Sequence, residues 1–466
     1  MPVAVYKNTR HLPEGLAGNL DINLLVRRQD MPALQSILLD AGAIRAFPHP
    51  LYDNALAGRE DWYLLDANET VLHLDIADSV KVGPKFCKAY RIADVDPSRS
   101  HPRAIAGHGD VPILPAGEEA RLALARLAFR SPGSLFQKEI ECREAIVASL
   151  DHSSRTAALP WRLDDQHIVC RIRRSDDGIL VYRRSLAAIR RAIRAANGTN
   201  RYDALRHRML HAVRRLRFAL WQRTARLVGG PNATRRRLRT GAVIALIGPD
   251  GVGKSTQSRE LAGFLGHRFR CVSIYLGSND GGWMRVRQRL PFFQKEIAAD
   301  GSSGTSRAAQ RSWFHAHLSA LWRLLIAGNR FVAQRRALRL AAKGVIVIAD
   351  RWPQDLEAGI LDGPSVAPSR RMPIARLIWS VEQRVYALMA AQKPSLSIHL
   401  DCDFETSHQR KPGDIAPAAF ASRIALMERM RRADPQVVSV DARRIQDDVF
   451  ADLLDASWNH LSALNR

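Results

Sequence analysis

The 466-residue sequence predicts an α/β protein, and three observations support that fold class. From residue 240 to the C-terminus, short apolar runs alternate with helical stretches, which is typical of a parallel sheet covered by helices on both faces. Residues 1–115 alternate short apolar runs with turn residues in the same way. Residues 116–239 are rich in arginine and mostly helical in pattern. We therefore expect three blocks with these boundaries.

The first block, 1–115, carries a strand–helix–strand pattern. Leu20–Val26 and Val71–Ile76 have the length and composition of strands, and Met31–Ala41 is predicted to be the helix after the first strand. Asp21 lies in the first strand and Asp75 in the second. Alternate side chains of a strand share one face, so Asp21 and the residue two positions later are predicted to point the same way.

The segment Gly18–Val26 resembles the metal-binding strand of DNA polymerase β-like nucleotidyltransferases, and the resemblance covers roughly residues 10–95. It implies that Asp75 supplies a further carboxylate beside Asp21, because two-metal nucleotidyl transfer needs closely placed carboxylates. Residue 23 is Asn, however, and a neutral amide does not supply the second charge. The Gly-Ser pair that usually precedes this strand is also missing. A working transferase and an inert or binding-only domain both remain open.

The second block, 116–239, is expected to be an Arg-rich helical region and linker. Helices are predicted at Ala116–Phe129, Leu186–Ala195 and Ala204–Leu227, and a small strand pair at Ile168–Ile172 and Gly178–Tyr182. A break at residues 229–232, Gly-Gly-Pro-Asn, separates these helices from a basic linker.

Positive charge is concentrated in this middle part of the chain. The whole sequence has a net charge of +24, and residues 161–240 hold 21 Arg, no Lys and 5 Asp. A segment of this composition favours an anionic partner, such as nucleic acid, an anionic membrane face or a phosphorylated substrate. A solvated helical face is the alternative, since no aromatic interleaving or nucleic-acid motif accompanies the arginines.

Cysteine spacing and hydropathy favour a cytoplasmic protein. No CxxC pair occurs, which argues against a zinc ribbon or a disulfide framework and fits a reducing compartment. No stretch approaches the roughly 20 uncharged apolar residues of a membrane span, and the N-terminus lacks the pattern of a signal peptide. The five cysteines are Cys87, Cys142, Cys170, Cys271 and Cys402.

The third block, 240–466, is predicted to contain five parallel strands separated by helices. Each predicted strand is short and apolar, as expected for strands buried on both faces. The predicted strands are Val243–Ile247, Cys271–Leu276, Val345–Ala349, Leu396–Leu400 and Val437–Val440.

The first of these strands runs into the pattern G-x-x-x-x-G-K-S, followed by a helix predicted at Gln257–Leu265. Glycines let the backbone turn tightly and point N–H groups inward, so that the loop and the following helix N-terminus can cradle phosphates. Lys254 can reach the β- and γ-phosphates of a nucleoside triphosphate, and the Ser255 hydroxyl can bind Mg²⁺. A glycine-rich turn that binds nothing is the alternative. The predicted ATP-binding residues are Gly248, Asp250, Gly251, Val252, Gly253, Lys254, Ser255 and Thr256.

A second candidate feature is Asp350-Arg351, at the end of the predicted strand Val345–Ala349. The carboxyl ends of parallel strands open onto the ligand crevice. A carboxylate there can hold Mg²⁺ or accept a proton, and an arginine can neutralise an acceptor phosphate. Asp350 and Arg351 are therefore predicted catalytic residues, although a helix-capping Asp paired with an Arg would have the same sequence.

A third candidate feature is a run of cations after the strand Leu396–Leu400. Phosphoryl transfer depends on positioning and charge stabilisation, so an arginine-bearing lid over the phosphates is expected. Arg410 is the preferred lid arginine, with Lys411 and Arg423 behind it. An exposed helix arginine is the alternative at each position.

Together these motifs resemble the thymidylate kinase family of P-loop nucleoside monophosphate kinases, in order and spacing, over about residues 240–466. The resemblance implies a five-stranded parallel sheet, Mg²⁺–ATP as donor, dTMP as acceptor and, commonly, a homodimer. It also implies that Asp250 and Arg351 face the acceptor phosphate. Members without a P-loop arginine place one in the lid. Gly251 occupies that P-loop position here, which favours Arg410 as a lid residue.

The acceptor side departs from the family pattern. The family usually carries an acidic-Pro-Gly-Gly loop after the second strand, whereas this chain has Tyr275–Gly282 followed by Trp283, Arg285 and Arg287. Divergent relatives of this kind resemble kinase-like proteins encoded among surface-polysaccharide genes, so a non-nucleotide acceptor is a second hypothesis. A third hypothesis is a binding or scaffold protein in which ATP occupancy controls docking of the Arg-rich segment.

Overall fold

The computed structural model describes residues 1–48, 58–84, 86–129, 146, 156–163, 166–175, 178–181, 183–227, 235–277, 305–412, 416–434 and 436–466. Its contacts divide the chain into two compact units. Unit 1 comprises Met1–Arg236 with Asn465–Arg466, and unit 2 comprises Arg237–Leu464.

Unit 1 contains a mixed sheet with strands in the order β3-β4-β5-β2-β1-β9-β8. β2 pairs with β5 in parallel, and Asn23 lies opposite Asp75. The strands of unit 1 are β1 (Val3–Lys7), β2 (Asp21–Val26), β3 (Ile44–Phe47), β4 (Arg59–Leu65), β5 (Val71–Ala77), β6 (Val80–Val82), β7 (Tyr90–Ile92), β8 (His101–Ile105), β9 (Gly109–Ile113), β10 (Thr156–Leu163), β11 (Gln166–Ser175) and β12 (Gly178–Val181). Its helices are α1 (Leu12–Leu16), α2 (Met31–Asp40), α3 (Ala116–Ala128), α4 (Arg183–Ala196) and α5 (Arg201–Leu227).

The middle block contains more β-structure than its sequence indicated. The predicted pair β11 and β12 forms, and β10 adds a third strand to the antiparallel sheet β10-β11-β12. Pro160 lies within β10 opposite Val169. Proline lacks the N–H that a central strand needs, so a proline in the sequence argues against a strand. β10 tolerates it because it is an edge strand with one neighbour.

Unit 2 contains the predicted five-stranded parallel sheet, with strands in the order β15-β16-β14-β17-β18. The α/β fold class predicted for this region is confirmed. The strands of unit 2 are β13 (Arg237–Leu238), β14 (Val243–Ile247), β15 (Cys271–Tyr275), β16 (Ile346–Asp350), β17 (Leu396–Asp401) and β18 (Val438–Asp441). Its helices are α6 (Lys254–Gly266), α7 (Thr305–Ala341), α8 (Pro373–Ala390), α9 (Phe404–Arg410), α10 (Pro417–Ala433) and α11 (Gln446–Leu464).

The two central strands of unit 2 are buried along their whole length. Every residue of β14 and of β16 is buried, which explains why both strands are continuous apolar runs rather than alternating ones. One face packs against α7, whose Ala337 and Ala341 join the same core as Val243 and Val347. The strand order reverses at β14, so the crevice at its carboxyl end is the place where α/β sheets bind ligands.

Among the described helices, none has a stretch that is both long and apolar enough to cross a bilayer. The cysteines in the described part of the chain, Cys87, Cys170, Cys271 and Cys402, are free thiols, and Cys142 lies outside it.

Candidate functional site

The loop between β14 and α6 has the backbone that a phosphate cradle needs. Gly251 and Gly253 adopt φ values of 82° and 97°, in the left-handed region that favours glycine. A Cβ on Gly251 would lie 2.7 Å from the carbonyl oxygen of Ser407, so a larger residue does not fit. The chain enters α6 at Lys254, and the helix presents its free N–H groups to the crevice.

Lys254 is buried, with 5% of its surface exposed, at the start of α6. Its Nζ donates to the carbonyl oxygen of Pro249 at 2.5 Å and lies 3.9 Å from Asp250 Oδ1. Burial, together with the positive charge of Arg351, lowers the pKa of Lys254 to about 8. The lysine therefore holds a charge that is poorly solvated and suits an anion entering the loop.

Ser255, in the first turn of α6, meets Asp350 at the carboxyl end of β16. Ser255 Oγ donates to Asp350 Oδ2 at 2.5 Å, and Asp350 is 4% exposed. The other oxygen, Asp350 Oδ1, is buried and has no hydrogen-bond partner among the described residues. A buried carboxylate oxygen without a partner is unfavourable, and hydroxyl and carboxylate oxygens are ligands that Mg²⁺ prefers. The pair therefore fits a divalent cation.

This pair is not an all-protein metal cage. Within the described ranges, no group of three or more His, Cys, Asp or Glu side chains could hold a metal ion. Mg²⁺ commonly uses one or two protein oxygens and takes its remaining ligands from water and phosphates. The arrangement is therefore suited to a metal that arrives with a phosphorylated ligand.

Three cations surround the P-loop carboxylate of Asp250. Arg351 Nη2 donates to Asp250 Oδ1 at 2.6 Å, Arg423 Nη1 donates to Asp250 Oδ2, and Lys254 lies beside them. Burial alone would raise the pKa of Asp250, but Arg351, Lys254 and Arg423 together lower it to about 2. Arg351 has a φ of 78°, a strained conformation of the kind that clusters at functional sites.

Asp362, which belongs to no recognisable sequence motif, binds the Nη1 group of Arg351, whereas Asp250 binds Nη2. Arg351 Nη1 donates to Asp362 Oδ2 at 3.1 Å, and Arg330 Nη2 of α7 donates to Asp362 Oδ1 at 2.9 Å. Asp362 and Leu361 before it have φ values of 61° and 42°. Sequence reasoning missed this residue, because it lies in an irregular loop with no pattern of its own.

The structure brings Arg423, rather than Arg410, to the P-loop. Arg410 Nη1 donates to the carbonyl oxygen of Ala442 at 2.8 Å, in the turn that follows β18. Arg423 lies on α10 and reaches Asp250. The predicted P-loop residues, Asp350 and Arg351 thus lie together, whereas the predicted lid arginine contacts the backbone near Ala442.

The predicted acceptor loop lies mostly outside the described residues, which stop at Gly277 on this side of the gap. Trp283, Arg285 and Arg287 are among those outside. At the described edge, a Cβ on Gly277 would lie 2.2 Å from the Tyr275 hydroxyl and 2.8 Å from Arg351 Cδ. The loop therefore leaves β15 in close packing against Arg351.

The predicted carboxylates of unit 1 are paired with cations. His73 Nδ1 lies 2.6 Å from Asp21 Oδ1, and His73 Nε2 lies 2.8 Å from Asp61 Oδ1. Arg59 Nε donates to Asp75 Oδ1 at 2.7 Å. Two carboxylates on the two ring nitrogens require an imidazolium that donates from both. The carboxylate charges expected to hold metal ions are thus satisfied by side chains of the protein.

His73 is predicted to make the stability of unit 1 depend on pH. Burial would lower the pKa of His73, but hydrogen bonds to Asp21 and Asp61 override it, and the pKa is raised above 6.5. A raised folded-state pKa stabilises the fold fully below the unfolded-state value, and the stabilisation is lost as pH rises through the folded value. Hydrogen-exchange protection of β4 and β5 should therefore fall as pH rises from about 6.5 through the raised pKa of His73.

A His73→Gln variant, which cannot titrate, should remove that fall, whereas His108→Gln, at an exposed position, should keep it. An unchanged pH dependence in His73→Gln would show that His73 is not the group responsible.

We compared the chain with family models, curated proteins and solved structures. No family model matches the chain. The Escherichia coli K12 protein named "Uncharacterized ATP-binding protein YghR" is 30% identical over 218 residues, which cover 45% of this chain and 83% of that protein. The K12 protein named "Uncharacterized ATP-binding protein YghS" is 29% identical over 223 residues, covering 47% of this chain and 94% of that one.

Among solved structures, thymidylate kinase from Candida albicans matches 47% of this chain and 94% of its own, at 20% identity and a TM-score of 0.29. That score is too low to establish a shared fold, so the P-loop architecture of unit 2 rests on its own topology. At 30% identity over most of YghR, the chain belongs to the family of the Escherichia coli protein YghR.

Proposed function

We propose that the chain is an ATP- and Mg²⁺-dependent phosphotransferase of the thymidylate kinase type, with its donor site in unit 2. One observation carries the proposal: the buried Ser255–Asp350 pair, with one free carboxylate oxygen, lies beside the buried ammonium of Lys254. Burying the charges of Lys254 and Asp350 costs free energy, and a glycine-rich turn that binds no ligand would gain nothing that offsets this cost. The name of YghR, an ATP-binding protein, supports the same donor.

Each side chain then has a defined task. The N–H groups of the loop and Lys254 bind the β- and γ-phosphates of ATP, while Ser255 and Asp350 hold the metal. Mg²⁺, when bound, neutralises charge on the phosphate oxygens. Arg351, held between Asp250 and Asp362, keeps its guanidinium fixed towards the acceptor side. The chemistry is one of positioning and charge stabilisation, as phosphoryl transfer requires.

The acceptor is proposed to carry a phosphate, because Arg351 and Arg423 bring two guanidinium groups to the edge of the P-loop, and guanidinium groups are suited to bind phosphate oxygens. A nucleoside monophosphate such as dTMP is the first candidate, and a phosphorylated sugar linked to surface-polysaccharide synthesis is the second. The test is to incubate the full chain with γ-labelled ATP, Mg²⁺ and a panel of nucleoside monophosphates and sugar phosphates. Label on one class identifies the acceptor, and label on none of them rejects the proposal.

Arg423 is predicted to be the arginine of α10 that matters for turnover, because its side chain already reaches the P-loop at Asp250. Arg423→Ala should lower kcat by about 10²-fold or more, the usual effect of removing one group that stabilises transition-state charge. Arg432→Ala is the matched control, since its side chain lies on the same helix and is 81% exposed. Steady-state kinetics on the acceptor found above measure both.

The same assay distinguishes Arg423 from Arg410. If Arg410→Ala lowers kcat more than Arg423→Ala does, Arg410 is the lid arginine that the family resemblance implies. The contact of Arg423 with Asp250 would then have no part in catalysis.

A further inference from the structure

Helix α5 of unit 1 presents a continuous apolar stripe to solvent. The helix has 27 residues, and six of the large apolar side chains described on it are exposed by more than half. They are Tyr202 (83%), Leu205 (55%), Met209 (61%), Val213 (52%), Leu216 (62%) and Leu220 (54%), called the α5 stripe below. Exposed apolar residues scattered singly are ordinary, whereas a contiguous set marks an interaction surface.

The six side chains of the α5 stripe lie on one face. Their spacing of three or four residues, at about 100° per residue, places all six within an arc of about 80°. The stripe therefore runs along about five turns of the helix, about 27 Å at the rise of an α-helix.

The opposite face of α5 is already used for packing. Ala204 and Phe218 are buried, at 8% and 7% exposure. His211 Nδ1 accepts from the backbone N–H of Phe86 at 3.2 Å, and Arg214 Nη1 donates to the Phe86 carbonyl oxygen at 3.0 Å. These contacts fix the rotation of the helix, so the α5 stripe points away from the core of its own unit.

Arginines border the α5 stripe on both sides. The sequence of α5 contains eight Arg and one Asp, with no Lys or Glu. By the same helical geometry, Arg206 and Arg217 flank one edge of the stripe, and Arg208 and Arg223 flank the other. All four are exposed. The surface thus combines an apolar centre with cationic margins.

We propose that α5 lies in the plane of an anionic phospholipid surface, with the α5 stripe among the acyl chains and the flanking arginines at the headgroups. A helix with Arg on its polar margins and Leu, Met and Tyr on its apolar face binds in this way. A second copy of the same face would bring like charges together. A nucleic acid offers phosphates but no apolar phase for the stripe. An anionic bilayer offers acyl chains for the apolar stripe and phosphate groups for the arginines.

Flotation of the full-length protein with vesicles tests the proposal. Vesicles of phosphatidylcholine mixed with phosphatidylglycerol should bind the protein, and pure phosphatidylcholine vesicles should bind it at least about tenfold less, because the arginines need anionic headgroups. A triple variant, Leu205→Ser with Met209→Ser and Leu216→Ser, should reduce binding to the mixed vesicles by about tenfold or more, because apolar burial is lost. Ile37→Ser, at a position 56% exposed on α2 of the same unit, is the matched control.

The replaced side chains are exposed, so circular dichroism and melting temperature should match the wild type and separate a lost surface from a lost fold. A variant with Arg206→Gln and Arg217→Gln keeps the stripe intact and should bind the mixed vesicles more weakly, with less sensitivity to salt.

Three results would overturn the proposal: equal binding to neutral and anionic vesicles, mixed-vesicle binding unaffected by the triple variant, or a dimer in vesicle-free solution that the triple variant converts to monomer. Binding to duplex DNA that the triple variant leaves unchanged, with no vesicle binding, would assign the surface to nucleic acid instead. The kinase proposal for unit 2 stands or falls separately, since Lys254→Ala should leave vesicle binding unchanged.

Discussion

Lys254→Ala should lower phosphoryl transfer by about 10²–10³-fold, equivalent to about 3 to 4 kcal/mol of transition-state stabilisation. The ammonium is buried at the first residue of α6, donates to the carbonyl oxygen of Pro249 in the loop that would hold the phosphates, and lies 3.9 Å from Asp250 Oδ1. Alanine removes a buried cation at the loop that is proposed to bind the β- and γ-phosphates. Single-turnover kinetics with γ-labelled ATP measure the loss apart from product release.

Lys343→Ala is the control for that measurement, because Lys343 is an exposed lysine of the same unit and its removal should leave transfer unchanged. If Lys254→Ala retained the wild-type rate while the protein still consumed ATP, the phosphates would have to bind elsewhere, and the P-loop would be only a turn.

Asp350→Asn should abolish the stabilisation that Mg²⁺ adds to ATP binding. The amide is close in shape to the carboxylate and can still accept from Ser255 Oγ, but it lacks the charge that the free Oδ1 offers a metal. A ligand that binds only the folded state raises the melting temperature, so wild-type protein should melt higher with Mg²⁺–ATP than with ATP and a chelator. The variant should show equal melting temperatures under both conditions.

Without nucleotide, Asp350→Asn should melt close to the wild-type temperature, because the neutral amide relieves the unsatisfied carboxylate oxygen while Asp250 remains as a counter-charge near Lys254. Asp355→Asn, at an exposed position close by, controls for the loss of one negative charge. Undiminished Mg²⁺-dependent stabilisation in Asp350→Asn, or strong destabilisation without ligand, would mean that Asp350 has a purely structural role.

The sheet of unit 2 was predictable because each of its strands is marked by a short apolar run in the local sequence. Strands buried on both faces must be continuously apolar, and each predicted run lies within a residue or two of its strand, as with Val345–Ala349 and β16 (Ile346–Asp350). The glycines of the P-loop were predictable for a similar reason, since only glycine fits the left-handed backbone at Gly251 and Gly253.

The arrangement around Asp250 was not predictable, because it depends on which helix faces the loop. Arg410 and Arg423 lie 13 positions apart and look alike in sequence, but α9 directs one to the turn after β18 while α10 brings the other to the P-loop. Asp362 has no neighbours that form a pattern, and its role follows only from the two arginines that meet on it. β10 was hidden by Pro160, since an edge position cannot be read from local sequence.

The central claim is that the γ-phosphoryl group of ATP is transferred to an acceptor. The alternatives are transfer to water, and a protein that uses ATP only to control binding. The most direct measurement compares ADP formed with acceptor phosphorylated, in the presence and absence of the acceptor found by the labelled panel. We expect a ratio of about one and almost no ADP without acceptor, because transfer depends on positioning both substrates. ADP release that is independent of every acceptor would contradict the claim and favour the model in which ATP occupancy controls docking of the Arg-rich segment.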